Sequence, residues 1–244
     1  SSDLDELIRK LGDRDDDDNV SPMTHRITVN DFVDEIQQTV RRDLFLFWGH
    51  RRDNYTGLNS DLISEEELEN ILRLFPEVLR DHPLLFRCIS LEDCLFIPLF
   101  VKLRMEFFSA HLLPNDDERG GLMTIFGGRN TLQRLMMASH GESINDNKLL
   151  DERLCKVLRR LKEMGCIQTS DVQKYNLWEE LWFRNRIYFP EMRFLFLVEC
   201  DATILTRPTN NLKKYTALHD AAAYTTPRGF QLVLDAIIRS FSMS

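Results

Sequence analysis

Apolar positions recur three and four residues apart along most of the chain, and strict apolar–polar alternation hardly occurs. That pattern predicts helices rather than strands. "SSDLDELIRKLG" sets Leu4, Leu7, Ile8 and Leu11 at helical spacing and stops at Gly12, a short amphipathic helix. A longer helix is expected from Asn30 or Asp31 to about Trp48, with Phe32, Val33, Ile36, Val40, Leu44 and Phe47 on its apolar face. In "SEEELENILRLFPEVLRD", Ser64 and Glu67 have capping-box spacing. Leu68, Ile71, Leu72 and Phe75 form the buried stripe there, and Pro76 kinks or ends the helix.

Further along, the pattern reads as helix pairs with variable connectors. Pro98, Pro190 and Pro227 each sit just before an apolar helical run, where a proline at the first helical position is tolerated. "LPNDDERGG" (113–121) and "HGESINDN" (140–147) read as polar loops.

The stretch "KKYTALHDAAAY" (213–224) contains Thr216, Ala217, Leu218, His219, Ala221 and Ala222. It resembles the ankyrin-repeat signature T-P-L-H-x-A-A, with Ala217 in place of the proline. The resemblance implies units of about 33 residues, each a loop and two antiparallel helices. It implies a role for each residue: Thr216 caps the first helix, Leu218 plugs the interface to the next unit, His219 ties the helix start to an adjacent loop, and Ala221 and Ala222 allow close helix approach. Residues 216–224 and 227–241 are therefore expected as an antiparallel helix pair, with Leu218 buried and His219 buried or half-buried. Weaker copies precede it: "DHPLLFRCIS" with "IPLFVKLRMEFF", "GGRNTLQRLMMASHG" with "DERLCKVLRRLKEMG", and "KYNLWEELWFRNR" with "PEMRFLFLVECDATIL". Taking Leu84, Leu132, Leu177 and Leu218 as equivalent plugs, the spacings are 48, 45 and 41 residues. Leu85, Gln133 and Trp178 then stand where the histidine would be. The expected fold is an all-α, ankyrin-like helical repeat solenoid with stretched, irregular repeats and an N-terminal helical cap. A different α-solenoid or an irregular helical domain is the alternative. The expected boundaries are an acidic tail at 1–26, a capping helix and loop at 27–64, and the repeat domain at 65–244.

Charge sharpens this division. Of the net charge of −8, residues 1–20 carry −5, and "DRDDDDN" (13–19) reads as a solvated linker. The nearly balanced remainder offers no basic footprint for nucleic acid. Five cysteines without close pairs, in mostly apolar settings, read as reduced and buried thiols. They point to an intracellular, reducing compartment, cytoplasm or nucleus, with an organelle left open because the missing initiator methionine suggests trimming. The longest apolar run is too broken to span a membrane.

No serine elbow, paired-carboxylate motif, zinc spacing or phosphate loop is present, so no catalytic residue, metal, cofactor or small-molecule substrate is expected. "FGGRN" (126–130) reads as a tight turn, with an anion site at the following helix start as the alternative. The expected function is non-catalytic protein–protein interaction. Met137, Trp182, Phe183 and Tyr224 share one offset from the predicted repeat starts and form a candidate partner-facing strip. Lys174 and Lys213, with Arg129, would give it a positive rim. Stretched repeats with larger cores would instead bury these residues. The basic stretch between Arg153 and Lys162 reads as a solvated face or as a rival docking patch. A structural subunit of a large assembly and an enzyme of unrecognised type are the other functional readings.

Overall fold

A computed structural model of the chain describes residues 63–80, 85, 89, 91, 93–108, 119–139, 143–182, 188–207 and 216–242. All of them belong to the second of the chain's two units, Leu44–Ser244. The expected tail at 1–26, the helix near 31–48 and nearly all of the capping segment lie outside the described residues. The described residues are all-α: helices and three short 3-10 turns, with no strand among them.

The start signals hold. α1 (Glu65–Leu74) begins with a reciprocal box: Glu67 N–H donates to Ser64 Oγ at 3.2 Å, and Ser64 N–H donates to Glu67 Oε2 at 2.9 Å. A 3-10 turn, Pro76–Arg80, follows. α2 (Ile97–Phe107) carries Pro98 in its first turn. α3 spans Thr131–Met137 and α4 Ile144–Glu163. α4 opens inside the expected loop at 140–147, because Ser143 Oγ accepts from Asp146 N–H and caps it there. α5 (Thr169–Lys174) and α6 (Leu177–Trp182) are separated at Asn176, whose φ of +48° breaks the helical path. α7 (Glu191–Cys200) follows Pro190, and a 3-10 turn covers Ala202–Leu205. α8 (Ala217–Tyr224) and α9 (Pro227–Ser242) form the expected final pair.

α3 lies on α6, and α4 lies on α7. α2 also packs on α4, and α1 lies on α2. The Ala202–Leu205 turn packs on α7 and touches both α8 and α9. Leu150, Leu154, Val157, Leu158 and Leu161 line the buried side of α4, facing the interior with Phe194, Phe196 and Leu197 of α7. A second cluster is aromatic. Trp178 meets Trp182 edge-on at 4.8 Å, Trp182 stacks on Phe189 at 5.3 Å, and Phe189 and Trp178 both contact Phe194.

Asp151 and Arg193, both buried, join three helices. Arg193 Nε donates to Asp151 Oδ1 at 2.8 Å, and its NH1 donates to the carbonyls of Leu135 and Met136 at 2.7 and 2.8 Å. Those carbonyls end α3, where a helix leaves acceptors without intrahelical donors. Asp151 does the converse for α7, accepting from the first-turn N–H groups of Met192 (2.8 Å) and Arg193 (3.3 Å). One ion pair thus caps the end of one helix and the beginning of another.

Candidate partner-binding surface

The turn before α3 is built by its glycines. Phe126 N–H donates to Arg129 O at 2.9 Å, and Arg129 N–H returns to Phe126 O at 3.4 Å. Gly127 and Gly128 between them have φ of +59° and +82°. Two consecutive positive φ angles define the primed turn that closes tight hairpins, so the tight-turn reading of "FGGRN" describes this segment. The Arg134 guanidinium lies over the Phe126 ring at 5.9 Å and donates to Phe126 O at 2.6 Å. Arg129 Nε contacts both oxygens of Glu180 on α6, at 3.0 and 2.9 Å. Arg129 therefore pins the tip to α6. Thus held, the tip presents Ile125, 68% exposed, and Phe126, 50% exposed. Nothing in the sequence marks either, because two apolar residues ahead of a turn carry no periodic signal.

Behind the tip, Asn130 caps α3. Gln133 N–H donates to Asn130 Oδ1 and Asn130 N–H to Gln133 Oε1, both at 2.9 Å. The other end of the Gln133 amide donates to Tyr175 O at 3.1 Å, at the junction leading into α6. Gln133 thus ties the start of α3 to the junction between α5 and α6.

The strip expected from the repeat offset divides. Trp182 is only 7% exposed and sits in the aromatic cluster, so its burial corrects its assignment to a partner-facing surface. Met137 is half-buried, and Tyr224 and Lys174 are exposed. The Lys174 ammonium lies 5.0 Å from the centre of the Tyr175 ring. Phe183 and Lys213 lie outside the described residues. Further along, Thr216 is the N-cap of α8, and its N–H and hydroxyl lie 3.3 and 2.9 Å from His219 Nδ1. Ala221 is buried. Three details differ from expectation: Leu218 is half-buried, and His219 and Ala222 are exposed. These side chains lie on the part of α8 that no described helix covers.

The basic stretch of α4 is largely engaged. Arg153 donates to Leu91 O at 2.8 Å, Arg159 meets Glu199 at 3.0 Å, Arg160 pairs with Glu65, and Lys162 lies over Phe196. Lys156 points outward. These contacts spend most of the stretch on joining helices, which leaves little of it as a docking patch.

A half-open cleft of about 170 Å³ lies between the α5–α6 junction and the Ala202–Leu205 turn, lined by Val172, Gln173, Asn176, Trp178, Glu179, Ile204 and Arg207. Burial, with Asp220 and Glu180 nearby, pushes the Glu179 carboxyl up. Mixed walls, three of the seven residues apolar, with one acid and one base, can hold an amphipathic side chain. Cys155 and Cys200 are buried, and that burial pushes both thiols up, away from the thiolate a nucleophile needs. Among the described residues no group of His, Cys, Asp and Glu could hold a metal ion, and no helix is long and apolar enough to cross a membrane. No protein-family model, curated protein or solved structure matches the chain.

Proposed function

We propose that the chain is a protein–protein interaction module without catalysis, built as a stretched ankyrin-like stack. The observation that carries this reading is the Gln133 contact. A side chain in the signature-histidine position closes its own helix cap and reaches Tyr175 O of the next unit at 3.1 Å, the role the resemblance assigns to that position. The packing of α3 on α6 and α4 on α7 supports it. The working surface is the hairpin tip. Ile125 and Phe126 are apolar, exposed and held by Arg134 and Arg129, so little ordering entropy opposes docking. Rigid aromatic anchors of this kind carry much of the binding energy at interfaces.

The test is to purify the tagged chain from the cells that make it, beside an Ile125→Asp/Phe126→Asp variant whose folding is checked by circular dichroism. The variant is expected to lose a partner that the parent and a Lys156→Glu control both retain. A tip variant that keeps every partner overturns the assignment. A structural subunit of a larger assembly is the second reading, favoured by the exposed Ile238 and Phe241 of α9.

A further inference from the structure

The cleft beside the α5–α6 junction carries an imbalance of charge. Two acids near it are matched: Asp201 lies 3.7 Å from Arg207, and Glu180 lies 2.9 Å from Arg129. Two others are not. Glu179 lines the cleft, and Asp220 on α8 is close enough for its charge to act on Glu179. Neither carboxylate accepts a hydrogen bond or enters an ion pair among the described residues. Asp220 is nevertheless only 8% exposed. Buried carboxylates in folded proteins are ordinarily paired, because leaving one without a partner costs free energy. Burial, then the charges of Asp220 and Glu180, pushes the Glu179 carboxyl up, and no cation among the described residues offsets them.

The walls indicate the shape of the missing cation. Val172, Trp178 and Ile204 are buried and apolar, while Glu179 is exposed. A long basic side chain lays its aliphatic stem on such a wall and keeps its charged head with the acid. A guanidinium is less strongly hydrated than an ammonium, so it enters a half-open cleft at lower cost, and its fork offers two N–H groups to one carboxylate. A free amino acid fits less well, because Arg207, the cation on the cleft wall, already faces Asp201.

We propose that this cleft receives an arginine side chain of a protein partner: Glu179 pairs with the guanidinium, Asp220 adds its charge from behind, and Val172, Trp178 and Ile204 cover the stem. The inference rests on the interaction reading for the partner being a protein, and it uses none of the hairpin tip.

The full chain, isotope-labelled at tryptophan, is titrated with N-acetylarginine amide at constant ionic strength, and the Trp178 indole N–H signal is followed by nuclear magnetic resonance. A saturating shift is expected. N-acetylcitrulline amide, which has the same shape without the charge, is expected to bind about tenfold or more weaker. Glu179→Gln is expected to weaken the arginine amide by the same order, and Asp220→Asn by less, both with unchanged circular dichroism. Free arginine is expected to bind no more tightly than the blocked amide. No shift in the parent, equal binding of the arginine and citrulline amides, or undiminished binding by either variant overturns the proposal. Tighter binding of free arginine overturns it too, since the ligand is then a free amino acid. The citrulline comparison needs no variant, and none of these results bears on the hairpin tip, whose own test is the loss of a partner.

Discussion

Removing the Arg193 guanidinium tests whether the buried pair is an ion pair or a double helix cap. Arg193→Met leaves Asp151 in the core without its cationic partner and removes the donors to Leu135 O and Met136 O. Breaking one side of a buried pair costs about 3–5 kcal/mol. The informative variant is the double one, Asp151→Val with Arg193→Met, which keeps a similar combined volume without charge. Were the two residues only an ion pair, apolar replacement would be near neutral or stabilising. Here four backbone groups lose their partners: the N–H groups of residues 192 and 193 and the carbonyls of Leu135 and Met136. Each buried group left unsatisfied costs about 1–3 kcal/mol, so a net loss of about 2 kcal/mol or more is expected to persist. Urea denaturation followed by far-ultraviolet circular dichroism measures both variants against the parent. A double variant as stable as the parent refutes the capping role.

Other outcomes follow from single contacts. Trp182→Ala is expected to lower stability by about 3–5 kcal/mol in thermal or urea unfolding, since it empties a packed aromatic cluster. Gln133→Ala is expected to cost about 1–3 kcal/mol, because a half-buried amide makes both the cap and the Tyr175 contact; Gln133→His should cost less, and the same urea titration compares them. Gly229→Ala reverses the usual helix gain of up to about 1 kcal/mol, because the new Cβ meets Phe189, and a lower melting temperature is expected. Lys102 holds the Glu69 carboxyl below its ordinary 4.5, and Arg73 does the same for Glu106 and assists at Glu69. Folded values below unfolded ones mean that this stabilisation is complete above about 4.5 and is lost as pH falls below it. The melting-temperature gap between the parent and Arg73→Met should therefore narrow under acid.

Helix beginnings were legible because they are local chemistry: Ser64 with Glu67, the prolines at 98, 190 and 227, and Thr216 with His219. α5 was not read from the sequence, since six residues with one buried aliphatic, Val172, show no period. The start of α4 was missed because "SINDN" is polar and Ile144 is exposed, so only the Ser143 cap marks it. Trp182 was misplaced because a shared offset does not show which side of α6 meets Phe189. The Asp151–Arg193 pair had no signal, since burial of two charges depends on helices 42 residues apart in sequence.

The central claim is that the chain works by presenting its rigid hairpin tip to a protein partner. Placing a photocrosslinking amino acid at Phe126, and separately at Lys156 on α4, tests it most directly in the cells that make the protein. The account predicts one discrete crosslinked partner from position 126 and none from position 156. Crosslinking from position 156 alone, or from neither position, would contradict it.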